Sequence, residues 1–387
     1  MSDFEIKGWC PGALRPMMSG DGLVVRVRPH AGRLTAAQAC GIARAARKYG
    51  SGIIDLSSRA NLQLRGVRQE SHSALISALD SLGLLDANPR AEARRNIVVT
   101  PFWDETDDAR VLAIALENAL AASDLALPGK FGFAVDCGGE RVLDAVSADI
   151  RIERGTGTEL IVRPDGAELG LPVEPAEVAG AALALAQWFI DTGGVSEGRG
   201  RMAAHIRRGV ALPPTLAGSS LPVPKTRRPQ PGLIAGGALV AVAFGSMHAD
   251  TLEDLARAVP ELRITPWRMI FLPSVAAMPA GLDLVIHGDD PILRIEACTG
   301  APLCPQARAE TRPLARLLAA HVPSGATLHV SGCAKGCACA RLAALTLVAT
   351  CDGFDLVRNG MASGAPALTG LSAAEIAAEP ARYLGGP

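Results

Sequence analysis

Hydrophobic and polar positions change period twice along this chain, in the same order each time. GDGLVVRVRP (20–29) alternates, LTAAQACGIARAARKYG (34–50) spaces its apolar residues helically, and GIIDLSSRANLQLRG (52–66) returns to alternation. GGALVAVAFG (236–245), TLEDLARAVPE (251–261) and LRITPWRMIFL (262–272) repeat that order. Each copy predicts strand, helix and strand, and the recurrence predicts an internal duplication. Between the copies, Pro213–Pro231 holds six prolines and reads as a linker. Later segments also align without a gap: GKFGFAVDCGGERVLDAVSADIRI (129–152) against GATLHVSGCAKGCACARLAALTLV (325–348) sets Cys137 on Cys333 and Arg141 on Cys337. Mixed strand and helix signals without a long βαβ series predict an α+β fold. A pseudo-two-fold molecule of this kind would hold a ligand in the groove between its halves.

Within 52–66, alternation puts Ile54, Leu56, Leu62 and Leu64 on one face and Asp55, Arg59, Asn61, Gln63 and Arg65 on the other. Read as one strand, the segment separates Arg59 from Arg65 by roughly 20 Å. Such a row could hold carboxylates on different edges of a large flat ligand; an ordinary half-exposed sheet face explains it equally well.

Composition narrows the partners. Net charge is −1 and aromatic residues make up 4%, so neither the electrostatic nor the stacking footprint of a nucleic-acid binder is present. The longest apolar stretch, Leu233 to Gly245, is too short for a bilayer span and reads as a buried strand with its flanks. The arginines nevertheless cluster, as Arg26/Arg28, Arg59/Arg65, Arg94/Arg95, Arg199/Arg201 with Arg207/Arg208, and Arg227/Arg228. That grouping on a neutral protein points to a polyanionic small ligand. No G-x-G-x-x-G follows a predicted strand, so NADH, if it is the ultimate reductant, is expected to act through a separate reductase. An odd total of nine cysteines, with no cleavable leader before GWCPGALRP, predicts the reducing cytoplasm.

Four of those cysteines carry the chemistry. Cys298 and Cys304 in ACTGAPLC and Cys333 and Cys337 in SGCAKGC give C-x5-C … C-x3-C, a spacing that suits a [4Fe–4S] cube better than the tight knuckles of a zinc site. Cys10 reads as incidental in a terminal loop, Cys339 as packed beneath the ligand loop, and Cys40, Cys137 and Cys351 as core.

At these residues the chain resembles the siroheme-dependent sulfite and nitrite reductase family over nearly its whole length. SSRANLQLRG resembles that family's arginine-bearing strand, LPGKFGFAVD (127–136) its lysine loop, and RITPWR and GRGRMAAHIRRG further ligand-contacting segments. The resemblance implies paired ferredoxin-like half-domains at 1–86 and 232–290, an α+β domain without a cluster at 87–212, and a 4Fe–4S domain at 291–387 beyond the 213–231 linker. It assigns the cluster to Cys298, Cys304, Cys333 and Cys337. It also assigns catalysis to Arg59 and Lys130, and ligand binding to Arg59, Asn61, Gln63, Arg65, Arg199, Arg201 and Arg268.

The departures from the pattern are specific. Gly132 stands where the reductases carry a second substrate-holding lysine, and Ala334-Lys335-Gly336 replaces Pro-Asn-Gly between the last two cysteines. A cationic site missing one charge suits sulfite poorly. The opening GWCPGALRPMMSGDGLVVRVRP and the SGCAKGCA loop are most similar to the precorrin-3B synthase branch of the superfamily. That branch implies a monooxygenase of aerobic cobalamin biosynthesis, which uses O2 to convert precorrin-3A into a hydroxylated γ-lactone, with the tetrapyrrole as substrate and siroheme less expected as cofactor. A four-cysteine cube has no open position for dioxygen, so a separate mononuclear non-haem iron is expected. His248/Asp250, His287/Asp289 and His329 are weak candidates for it. The competing readings are a siroheme nitrite or sulfite reductase and a non-catalytic Fe–S or tetrapyrrole carrier.

Overall fold

The computed structural model describes residues 11–104 and 107–385; Cys10 lies outside them. The strands of the first half are β1 (Met17–Ser19), β2 (Gly22–Val27), β3 (Arg33–Thr35), β4 (Ile53–Leu56) and β5 (Leu62–Val67), then β6 (Ile97–Val99), β7 (Phe133–Asp136), β8 (Ile150–Arg154), β9 (Leu160–Pro164) and β10 (Leu171–Val173). Those of the second half are β11 (Gly232–Ile234), β12 (Gly237–Ala241), β13 (Ser246–His248), β14 (Glu261–Ile264) and β15 (Met269–Pro273), then β16 (Ile295–Ala297), β17 (Leu328–Ser331), β18 (Ala343–Thr350), β19 (Gly353–Gly360) and β20 (Leu368–Leu371). They form four sheets, β1-β2-β5-β4-β13, β11-β12-β15-β14-β3, β10-β9-β8-β7-β6 and β16-β17-β18-β19-β20.

The first two sheets are related by the duplication, and they exchange strands. β3 of the first half pairs antiparallel with β14, and β13 of the second half pairs with β4. One helix follows each exchanged strand, Ala36–Tyr49 and Ala249–Ala258, and the two pack together. Thr35 starts the first with a capping box: its hydroxyl accepts from Gln38 N at 3.2 Å, and the Gln38 side chain accepts from Thr35 N at 3.0 Å. Leu34, Ile42, Ile54, Leu62 and Leu64 share one core with Leu239, Leu252, Leu262 and Ile270, so the halves bury their apolar faces against each other.

The segment 52–66 is not one strand but a hairpin. β4 and β5 pair as Ile54↔Leu64, Asp55↔Gln63 and Leu56↔Leu62, which keeps the expected apolar and polar faces intact. Arg59 falls in the turn, so the row of side chains along one strand is replaced by a folded pair. Ser57 closes the turn: its N–H donates to Asn61 O at 2.9 Å and its hydroxyl accepts from Arg59 N and Asn61 N. Ala60 takes φ +53° there. Thr265 does the same in the second copy, donating to Met269 O at 3.1 Å, with Arg268 at φ +62°. In the duplicated turns Arg268 therefore matches Ala60, and Arg59 matches Trp267.

The other two sheets share one design: two parallel steps, then two antiparallel ones. The helices Asp108–Ala122 and Val178–Asp191 help close the first core, and Arg312–Leu318 the second. The proline-rich segment is a strap laid on the fold, not a free connector. Val223 N donates to Arg154 O and Thr226 N to Arg141 O, each at 2.9 Å, and Arg228 reaches Trp267 O at 2.8 Å. Cys137 and Cys339 are buried and Cys40 is half-buried, but Cys351 is exposed because it occupies the turn joining β18 to β19. Among the described residues no helix is long and apolar enough to cross a membrane.

Candidate functional site: a cationic groove ending at four thiols

Cys298 directly follows β16, and Cys333 lies just beyond β17, so neighbouring parallel strands deliver the two cysteine loops to one end of the sheet. Cys298 N donates to Val330 O at 3.3 Å, Thr311 Oγ1 donates to Cys298 O at 2.6 Å, and Gly332 N donates to Cys298 Sγ at 3.1 Å. Gly336 turns the second loop at φ +63°, a conformation that costs glycine least. Burial pushes the Cys337 thiol up; Lys335 opposes, and the nearby Cys298, Cys333 and Cys304 push it further. Arg308 N donates to Gly332 O at 2.8 Å, which brings the loop of Cys304 to that of Cys333; Cys298 and Cys337 line one cavity, and none of the four is in a disulfide. A set of four convergent thiols fits a [4Fe–4S] cube.

Among the described residues, no three His, Cys, Asp or Glu side chains gather closely enough to hold a metal ion. Ligands of a single ion sit within about 2.0–2.3 Å of it, whereas a four-iron cube holds its thiolates farther apart. The expected mononuclear iron therefore has no such seat among the described residues. His248 precedes a helix whose Asp250 pairs with Arg47 at 2.5 Å, and His287 and Asp289 are exposed loop residues. His329 is fully buried in β17 between Glu296 and Thr346 on the neighbouring strands, with both ring nitrogens unpartnered. Burial, reinforced by Arg268, pushes its pKa down to about 4, so the ring is neutral near pH 7.

Two cavities meet beside the thiols, sharing Ser58, Arg268 and Ala338. One, of about 380 Å³, has Arg26, Gln63, Phe244 and Arg312 on its walls together with Cys298 and Cys337. The other, of about 450 Å³, runs under the strap and is lined by Lys225, Arg228 and Arg341. Together the walls carry Arg26, Lys225, Arg228, Arg268, Arg312 and Arg341 against Asp55, Asp144 and Glu296, a cationic excess. Arg312 pairs with Asp55 at 3.3 Å, and Arg268 pairs with Glu296 while donating to Ala338 O at 3.3 Å. In the other half, Phe102 packs on Trp267 and edge-on to Phe271, with ring centroids 6.0 and 5.2 Å apart. A larger cavity of about 610 Å³ beside Trp103 and Arg263 has no cysteine on its walls.

Of the residues expected from the sequence, Arg268 and Gln63 line these cavities with Cys298 and Cys337. Arg59 lies next to Ser58 and donates to Lys130 O at 3.2 Å, but neither Arg59 nor the exposed Lys130 lines them. Asn61 is buried under the turn. Arg65 is drawn away by a bidentate grip on Asp21, at 2.9 and 3.1 Å, which buries both. Arg201 is likewise engaged with Asp149 and Ser147, both at 2.9 Å, and Arg199 is exposed in a neighbouring turn. None of these three is on the cavity walls, although Arg201 reaches Ser147, which is. Sequence reasoning did not select Arg312, Arg341, Glu296, Lys225 or Phe244. Lys225 and Arg228 come from the proline-rich strap, where Arg228 is half of the basic pair Arg227/Arg228.

At Gly132 a Cβ would come within 2.7 Å of Asn96 Nδ2 and 3.2 Å of Asn96 O. A side chain there would have to displace the Asn96 amide.

The duplicated sheets and a groove ending at four thiols are features of a protein of the nitrite/sulfite reductase superfamily. Residues 15–82 match the nitrite/sulfite reductase ferredoxin-like half domain. The fold is shared with the Mycobacterium tuberculosis NirA protein at a TM-score of 0.67 and 19% identity, covering 93% of this chain and 80% of that one. The chain is 32% identical to a precorrin-3B synthase of Sinorhizobium sp over 93% of its own length and 84% of the relative's, and belongs to the precorrin-3B synthase family. A ferredoxin–nitrite reductase of Leptolyngbya laminosa is 24% identical over 91% of this chain and 82% of the relative.

Proposed function

We propose that the chain is an enzyme of cobalamin biosynthesis that binds precorrin-3A in the groove and converts it, with O2, to precorrin-3B. The observation that carries this reading is a cationic groove that opens onto Cys298 and Cys337, in a chain with glycine at position 132. A flat polycarboxylate would present its acid arms to Arg26, Arg268 and Arg312 at one end and to Lys225, Arg228 and Arg341 at the other. Cys298, Cys304, Cys333 and Cys337 would hold a [4Fe–4S] cluster, which supplies single electrons when bound. Gly132 leaves Lys130 as the lone lysine of its loop, which disfavours binding a small inorganic anion. The apolar Phe244 wall, against which Arg316 packs from 5.6 Å, helps exclude water beside the ring. Electrons are proposed to arrive from an external NADH-dependent reductase.

Insertion of one atom of O2 consumes two electrons and two protons and releases water, which makes the test direct. Anaerobically purified protein is given precorrin-3A, a chemical reductant and isotopically labelled O2. The expected product carries one labelled oxygen atom, and the absorption spectrum shows a broad cluster shoulder without sharp siroheme bands. Siroheme bands that shift with sulfite or nitrite, with no oxygenated product, would return the protein to the reductases.

A further inference from the structure

Among the four cysteines, Cys298 is held at three atoms: its N–H by Val330, its carbonyl by Thr311 and its sulfur by the Gly332 amide. The last contact depends on a close approach of two loops. Gly332 has ordinary backbone torsions, so its lack of a side chain serves space and not φ. A Cβ added there would stand 2.7 Å from Ala307 Cβ and 3.5 Å from Cys298 Sγ. Arg308 N donates to Gly332 O at 2.8 Å, and Ala307 N to Cys304 O at 3.1 Å, so the same approach ties the loop carrying Cys304 to the loop carrying Cys333.

We propose that the Gly332 amide, admitted by the small Ala307, is a positioning group that fixes the Cys298 thiolate and, through its N–H to sulfur bond, raises the reduction potential of the cluster the loops hold. This rests on the four-cysteine cluster reading above. A hydrogen bond to a ligand sulfur stabilises the reduced cluster, which carries one more negative charge, more than the oxidised one. Its loss makes the cluster harder to reduce. Loss of the outer contact also loosens the ligand, and such contacts are typically worth 10–100-fold in metal retention.

The test uses the full-length protein in three forms: wild type, Gly332→Ala, and Gly332→Ala with Ala307→Gly, which returns the space the added methyl takes. Iron and sulfide are counted, the midpoint potential is followed by EPR during redox titration, and iron loss to a chelator is timed. The expected result is about tenfold weaker uptake of the electron in Gly332→Ala, equal to a fall of about 59 mV for a one-electron couple. Iron loss about tenfold faster should accompany it, with both effects largely reversed in the double variant. If Gly332→Ala fails to load iron, the double variant against wild type decides. Recovered loading supports the role of the approach, and failure of both forms to load overturns it. A Gly332→Ala protein with full iron, unchanged potential and unchanged retention also overturns it while leaving the cluster intact. A wild-type protein without four irons overturns the cluster reading and this one together.

Discussion

Arg268 combines two demands that pull in opposite directions. Its backbone sits at φ +62°, which costs a non-glycine residue roughly 1–3 kcal/mol, while its guanidinium occupies the junction of the two cavities. The half-buried pair with Glu296 is worth about 1 kcal/mol at most, so the ion pair alone does not offset the strain. Ala60 takes the same torsion in the matching turn, so the turn sets the backbone, and the guanidinium at the cavity junction is what distinguishes Arg268. Arg268→Gly should therefore leave the melting temperature equal or higher, because glycine takes that torsion freely. Tetrapyrrole affinity should fall roughly tenfold to a hundredfold, the worth of a hydrogen bond to a charged group. Calorimetric melts paired with absorption titrations check this. A variant that loses stability without losing affinity would show Arg268 to be only a strut.

At the scale of elements, β7 ends in a buried carboxyl whose titration should be visible in stability. Asp136 Oδ2 accepts from Leu143 N at 2.6 Å, but Oδ1 has no partner. Burial pushes the acid up to about 7; the Leu143 amide pulls the other way, and Glu153 adds to the rise. The folded-state value lies above the unfolded one, about 3.9. The stability contributed by the protonated acid is thus complete below about pH 4 and is lost as pH rises through about 7. Wild type should melt progressively earlier from about pH 4 to 7, and Asp136→Asn should flatten that fall by up to a few kcal/mol. Parallel pH profiles from both proteins would contradict the assignment.

The same scale explains what could be read in advance. Strand faces and the capped helix were legible because a period and an Thr35…Gln38 box are local properties. The hairpin turn was missed because Ala60 enters the left-handed region without a glycine to announce it. The strap was taken for a connector because proline content predicts extension and not where an extended chain docks. The cysteines were visible because their chemistry is rare. Groove arginines looked like any others, and only the fold separates Arg268 and Arg312, which face the cavity, from Arg65, which Asp21 claims.

For the whole molecule, the exchange of β3 and β13 has a consequence that the linear domain order hides. A fragment ending at Gly209 keeps β1, β2, β4 and β5 but loses β13 from the edge of that sheet, and its own β3 is left without β14. The complementary fragment, beginning at Val210, keeps β13 with nowhere to pair, and its sheet lacks β3. Each would also expose the apolar face that the shared core buries, including Ile54 and Leu64 in one and Leu262 and Ile270 in the other. Open strand edges beside exposed apolar surface favour aggregation. Gly209 is a suitable place to divide the chain, since it is exposed, at φ +79°, with open space around it. The fragments made separately should be insoluble or non-cooperative in unfolding. Made together, they should associate one to one, melt as a unit and retain the groove, because binding restores both sheets at once. Size-exclusion chromatography and calorimetry distinguish the cases. An amino-terminal fragment that is monomeric and unfolds cooperatively alone would mean that the half-domains are independent and the strand exchange incidental.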